Sequence, residues 1–171
     1  MSVHTHRMVA EKRNPLGPTG ETVRANVQRL REAQNLGYAR LARILDEEIE
    51  RPIPELGLRR IESGDRRVDV DDLVALAAAL GVAPVTLLMP RVDSAGRQDE
   101  VESTAASPIQ AAHLWAWLTA NEPIPINMSF FIFIERSWPA WAREKYMAQV
   151  AAAQTVFNER VGGEGASGGD D

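Results

Sequence analysis

The sequence predicts a mainly α-helical protein, with a five-helix N-terminal domain followed by a smaller, mostly helical region that contains one candidate strand. Two observations support this fold class. Apolar residues recur at helical spacing along the first half of the chain, with Gly and Pro between the periodic stretches. Residues 91–106 are small, polar and acidic, which is typical of a linker. The 171 residues suffice for one ordinary domain or two small ones.

Five helices are predicted over residues 19–90. They are expected from Thr19 to the turn at Asn35-Leu36-Gly37, and over Tyr38–Glu48, Pro54–Glu62, Asp71–Leu80 and Pro84–Met89. Gly64 and Gly81 are predicted to end the third and fourth helices, because glycine adopts the left-handed C-cap conformation most easily. Pro52 disfavours helix in the residue before it and so separates the second helix from the third. The extra, acidic residues between the second and third helices are expected to lengthen the second.

The C-terminal region, 107–161, is predicted to be mostly helical. Ser107-Pro108 is expected to open a helix that reaches about Ala120. Asn127–Ile134 is rich in β-branched and aromatic residues and predicts a strand, paired with Ile124–Ile126 or with another subunit, unless the segment is buried loop or helix. A last helix follows Pro139, with a seam at Ala142, Tyr146, Val150, Ala153 and Phe157. Residues 1–18 are expected to form a flexible arm and 162–171 a disordered tail.

Composition excludes several classes of function. The chain has no cysteine, and therefore no disulfide, thiolate nucleophile, Cys-based zinc site or iron–sulfur cluster. His113 has no accompanying catalytic group, and no phosphate loop or metal motif occurs, so we expect neither an enzyme nor a cofactor, metal or catalytic site. The longest apolar runs are too short to span a bilayer, and the N-terminus lacks the apolar core of a signal peptide, which predicts a cytoplasmic protein without membrane partners.

The net charge of −5 is unevenly distributed. Residues 1–92 carry 14 basic and 13 acidic side chains, whereas residues 93–171 carry 5 and 11. All four Trp residues also lie after the linker, where they favour a small helical core, an effector pocket or a dimer interface. The two halves are therefore expected to have different roles.

Four linked stretches in the first half resemble a known family. They are VQRLREAQNLG from Val27, YARLA from Tyr38, LRRIESG from Leu58 and VDDLVALAAALGV from Val70. In order and spacing they resemble the Cro/lambda-repressor-like, or XRE, helix-turn-helix transcriptional regulators of actinobacteria and their phages. The resemblance covers residues 19–90.

The resemblance implies a set of DNA-contacting residues. The third helix would enter the major groove and contact bases through Glu55, Leu56, Gly57, Arg59 and Arg60. Arg60 is the first candidate for a bidentate contact with guanine. Phosphate contacts are implied for Tyr38, Ser63, Arg66 and Arg67, although Arg66 and Arg67 also fit a solvated loop. Arg31 and Glu62 match a structural ion pair between the first and third helices.

The predicted function is that of a sequence-specific regulator, most simply a repressor, that binds operator double-stranded DNA in the nucleoid of a bacterial cell. A homodimer formed through residues 107–161 would bind inverted half-sites. The alternative is a protein-interaction module, such as an antitoxin or adaptor, whose acidic C-terminal half holds a partner. The sequence identifies no small-molecule effector.

Overall fold

The computed structural model describes residues 15–91, 96–124 and 127–164. Residues 1–14 of the predicted arm and 165–171 of the predicted disordered tail therefore lie outside the described residues, whereas residues 162–164 of that tail belong to the last helix. The chain divides into two compact units between Trp115 and Ala116, later than the linker predicted over 91–106. Both units are mainly helical, as predicted.

The first unit opens with five helices, whose bounds agree with the predicted ones to within a residue or two. They are α1 (Pro18–Ala33), α2 (Tyr38–Glu47), α3 (Glu55–Glu62), α4 (Val70–Ala79) and α5 (Pro84–Leu88). Their apolar faces meet in one core, in which Val27, Leu41, Leu45, Leu58, Ile61, Leu76 and Leu87 are completely buried. This core fixes α3 by its Leu58 and Ile61 side and leaves its other side in solvent.

The connection between α2 and α3 differs from the prediction. Of the additional residues, Asp46 and Glu47 extend α2, which ends one residue before the predicted Glu48; those that follow form a turn with Glu50 at a φ of 57° and then an extended segment. Ile53 is 1% exposed and joins the core from this segment. Pro52 and Pro54 oppose helix here, and burial of Ile53 stabilises the extended path. The extra residues therefore lengthen the second helix only as far as Glu47.

Residues 96–118 also differ from the prediction. A 3-10 turn over Gly96–Gln98 leads to β1 (Glu100–Val101), which pairs antiparallel with β2 (Ile109–Gln110). The next helix, α6 (Ala111–Leu118), begins after β2 and not at Ser107-Pro108, so that predicted start was wrong. Ile109 is buried in this arrangement. Its backbone pairs with that of Val101 in the two-stranded sheet, and this pairing excludes Ile109 from α6.

The second unit contains α7 (Phe130–Ser137) and α8 (Ala140–Glu164). The strand predicted over Asn127–Ile134 was wrong, because Phe130–Ile134 lie in α7. In the helix, Phe133 and Ile134 are buried, and the Phe130 ring lies edge-on to Trp138 and Tyr146, with centroids 6.3 and 6.0 Å away. Packing of these rings outweighs the local preference for strand.

No helix in the described part of the chain is both long enough and apolar enough to cross a membrane.

Candidate nucleic-acid interface

The short helix α3 has one buried and one exposed side. Leu58 and Ile61 point into the core, whereas Glu55, Leu56, Arg59 and Arg60 are exposed. Leu56 is 58% exposed, which is high for a large apolar side chain on a helix of this core. The five residues predicted to contact bases therefore include four with solvent-exposed side chains on one short helix, and Gly57 beside them is partly covered.

Arg59 and Arg60 are neighbours in sequence but have different surroundings. The Arg60 guanidinium makes no hydrogen bond or ion pair with any described residue. The Cζ atom of Arg59 lies 4.2 Å from the centroid of the Tyr38 ring, and its Nη2 atom is 3.9 Å from Oε2 of Glu55. Arg60 is thus available to an external acceptor, and Arg59 is held in place by the start of α2.

Tyr38, the first residue of α2, contacts two buried charged residues, Arg31 of α1 and Glu62 of α3. Its hydroxyl donates to Oε2 of Glu62 at 2.7 Å, and the Arg31 guanidinium covers its ring at 4.2 Å. The hydrogen bond to Glu62, followed by burial, raises the pKa of Tyr38 above its ordinary value. The phosphate contact predicted for this hydroxyl thus competes with a partner inside the protein.

Arg31 and Glu62 join α1 to α3 through two short hydrogen bonds. Arg31 Nε lies 2.7 Å from Oε1 of Glu62, and Nη2 lies 2.8 Å from Oε2. The residues are 8% and 6% exposed, respectively. Arg31 Nη1 also donates to the Leu36 carbonyl oxygen at 3.0 Å, and the hydrogen bonds that Arg31 donates to Glu62 raise the Arg31 pKa further above its already high value. This pair anchors the C-terminal end of α3.

Asp72 is the central residue of a second charged cluster, which sequence analysis missed. It is 1% exposed in the first turn of α4, where its backbone N–H donates to the capping carboxylate of Asp69. Its Oδ1 atom accepts from Nε of Arg51 at 3.0 Å, and its Oδ2 atom accepts from Nη2 of Arg66 at 2.5 Å. One carboxylate therefore ties together the segments that precede and follow α3.

Gly57 gives the Arg66 guanidinium room to lie against α3. A β-carbon at Gly57 would come within 2.7 Å of Nη1 of Arg66 and within 3.1 Å of Cγ2 of Ile53. The absence of a side chain at Gly57 thus lets the Arg66 guanidinium and Ile53 lie close to α3. The family resemblance implies a base contact for Gly57 as well.

The remaining phosphate candidates lie in the loop after α3 and have partners within the protein. The Ser63 hydroxyl lies 2.8 Å from Oδ2 of Asp65, to which it donates. Nη2 of Arg67 donates to the Pro15 carbonyl oxygen at 2.5 Å. Phosphate binding by Ser63, Arg66 or Arg67 would therefore have to share or replace these contacts.

Two further cations were missed by sequence analysis. Arg40 and Arg43 are exposed on α2, and neither has a hydrogen bond or ion pair to a described residue. Their spacing of three residues places them on one side of α2, away from the buried Leu41 and Leu45. That spacing, set against the apolar face of the same helix, was the available sequence signal.

Comparison with protein-family models, curated proteins and solved structures found no match for this chain. Among the described residues, no group of three or more His, Asp and Glu side chains is arranged to hold a metal ion.

Proposed function

We propose that this chain is a sequence-specific DNA-binding transcriptional regulator, a repressor whose helix α3 enters the major groove of operator DNA. Helices α2 and α3 serve as a helix-turn-helix. The observation that carries the proposal is the exposed side of α3, where Arg60 has no partner among the described residues while the opposite side of the helix is fixed in the core. A rigid support for a free guanidinium suits recognition that depends on precise geometry.

The residues of α3 divide by chemistry. Arg60 is suited to a bidentate contact with O6 and N7 of guanine, and such a contact contributes about 1–3 kcal/mol of discrimination between bases. Arg59 approaches a base or a phosphate from its position over Tyr38. Glu55 accepts from the cytosine amino group, and Leu56 contacts a thymine methyl group.

Phosphate contacts fall to the flanking cations. Arg40 and Arg43 are exposed and unpaired within the described residues, which makes them the readiest groups for this role. Arg66 and Arg67 contribute if a phosphate replaces or joins their present partners. The excess of acidic over basic residues after residue 92 keeps the C-terminal half away from DNA.

The test is a footprinting and affinity measurement on genomic fragments that include the protein's own promoter, at two salt concentrations. We expect a discrete footprint for the wild type, with affinity that falls as salt rises. Arg60→Ala should weaken binding to this site by about 10-fold or more, and should relax the preference at one base pair. Arg97→Ala, which removes the same charge from an exposed position outside α3, is the matched control and should bind nearly as the wild type.

Two results would contradict the proposal. One is the lack of any discrete footprint at either salt concentration, and the other is an equal effect of Arg60→Ala and Arg97→Ala. In either case the alternative, a protein-interaction module such as an antitoxin or adaptor, becomes the better explanation, because partner binding through the C-terminal half should not depend on Arg60.

A further inference from the structure

Helix α8 exposes an unusual surface within the second unit. Every residue from Met147 to Arg160 is solvent-exposed, and no charged residue occurs between Lys145 and Glu159. Val156 is 49% and Phe157 61% exposed. A helix that is uncharged on all sides over more than three turns is normally covered by another element. No described residue of the second unit covers it.

One side of α8 has a symmetric order of residues. It consists of Trp141, Lys145, Ala148, Ala152, Val156 and Glu159, which follow one another at spacings of three or four. All six are exposed, and Trp141 is 71% exposed. Contacts with α7 use another side of the helix, through Arg143, which donates to the Glu135 carbonyl oxygen, and Tyr146, which packs on Phe130. We call these six residues the α8 stripe.

We infer that the α8 stripe binds the α8 stripe of a second copy of this chain, with the two helices antiparallel and related by a two-fold axis at Ala152. Lys145 and Glu159 each lie seven residues from Ala152, so this axis sets Lys145 of each copy against Glu159 of the other. Ala148 and Val156, each four residues from Ala152, face each other in the same way. The axis itself passes between two alanines, which allow close approach of the helices.

The charges of the stripe select the antiparallel arrangement. A parallel pair would set Lys145 against Lys145 and Glu159 against Glu159, which is repulsive at both ends. Antiparallel pairing makes two attractive contacts instead. The stripe from Trp141 to Glu159 is about 27 Å long at 1.5 Å per residue.

The proposed contact assigns the dimer expected through residues 107–161 to helix α8 in one register. It does not depend on DNA binding. A contact of this length is modest in area, so we expect a dimer that dissociates on dilution in the micromolar range.

Cysteine cross-linking tests the register directly, because the full chain has no cysteine of its own. Ala152→Cys should form a disulfide-linked dimer on mild oxidation, since the two introduced thiols would meet at the axis. Gln154→Cys is the matched control: it is equally exposed but faces the opposite side, and should remain monomeric on a denaturing gel. Ala148→Cys and Val156→Cys should each fail to cross-link alone but should cross-link when the two variants are mixed.

Charge exchange gives a second, non-covalent test by sedimentation velocity. Lys145→Glu and Glu159→Lys should each weaken self-association on the order of tenfold or more, because each variant makes two like-charge contacts. An equimolar mixture of the two variants should associate as the wild type does, since each mixed contact is again attractive. Circular dichroism must show unchanged helix content in both variants.

Any of three results would overturn the inference. They are a wild type that stays monomeric up to the highest soluble concentration, equal cross-linking at positions 152 and 154, and a mixture of the two charge variants that associates no better than either alone.

Discussion

Oδ2 of Asp72 accepts a hydrogen bond from Nη2 of Arg66 while Oδ1 of the same carboxylate accepts from Nε of Arg51. A single buried acidic side chain in α4 thus fixes the chain on both sides of α3. The hydrogen bond to Asp72 also raises the pKa of Arg51, which remains charged throughout the accessible pH range. The arrangement of α3 therefore depends on a residue that lies outside it.

Asp72→Asn should lower the free energy of unfolding by about 1–3 kcal/mol, because the amide keeps the shape of the side chain but loses its charge-assisted hydrogen bonds. Urea denaturation measures this loss. Asp71→Asn is the control: the Asp71 side chain is 80% exposed and lies 3.9 Å from Arg51, so its change should stay below about 0.5 kcal/mol. Equal losses in the two variants would show that the buried contacts of Asp72 do not hold the segments around α3.

We expect substitutions of Arg31 and Glu62 to have non-additive effects on the free energy of unfolding. Arg31→Met leaves the Glu62 carboxylate buried without its guanidinium, and Glu62→Leu leaves Arg31 without its carboxylate, so each should destabilise the fold by about 3–5 kcal/mol. The double variant should lose clearly less than the sum of the two, because it leaves neither charge alone. Urea unfolding of all four proteins at one pH measures the coupling.

Additive losses in this cycle would contradict a direct coupling between the two charges. The cycle also bears on DNA-binding assays, because a single variant that has lost its fold would fail to bind DNA for a reason unrelated to contact. Arg31 and Glu62 are therefore unsuitable as probes of base recognition.

Tyr38 predicts a loss of stability at alkaline pH. Its pKa is raised in the folded protein from the ordinary value of 10.0. The folded state therefore holds the phenolic proton more tightly than the unfolded state, so this contribution is complete below about pH 10 and is lost as pH rises through the folded pKa. In Tyr38→Phe this contribution is absent, so its unfolding free energy should fall less steeply between neutral pH and about pH 11.

Denaturant titrations at a series of pH values, with wild type and Tyr38→Phe in parallel, measure the difference in slope. Tyr146 is present in both proteins, and its contribution cancels in the comparison. If the unfolding free energies of the two proteins fell equally steeply with pH, the hydrogen bond from the Tyr38 hydroxyl to Glu62 would not raise the Tyr38 pKa in solution.

Sequence patterns predicted the five helices of the first unit well, because each combines helical periodicity with a distinct start or stop. They failed where tertiary contacts outweigh local preference. Phe130–Ile134 has the composition of a strand, yet the segment is helical and the Phe130 ring packs on Trp138 and Tyr146. The pairing of Glu100–Val101 with Ile109–Gln110 involves two residues per strand, which is too short to produce an alternating pattern.

The candidate site was predicted less completely than the fold. The exposed positions of α3 and the pairing of Arg31 with Glu62 were expected from the family resemblance, whereas the cluster around Asp72 was not. Arg51 is 21 residues from Asp72 in sequence and precedes α3, whereas Arg66 is 6 residues away and follows α3; the two meet at one carboxylate only in the folded chain. Local patterns carry no information about such a meeting.

The exposed cations of α2 provide a last prediction, which separates phosphate contacts from base contacts. A phosphate contact contributes to binding on any DNA sequence. Log K falls linearly with log salt concentration, and the loss of one phosphate contact reduces the steepness of this line by about 0.9. Arg40→Ala and Arg43→Ala should each reduce the slope by about that amount and weaken binding to specific and nonspecific DNA alike. Arg60→Ala should instead reduce the ratio of specific to nonspecific affinity. Fluorescence anisotropy over a series of salt concentrations, with Arg97→Ala as the control for charge, distinguishes the two patterns. If Arg40→Ala and Arg43→Ala left the slope unchanged, α2 would not contact the phosphate backbone.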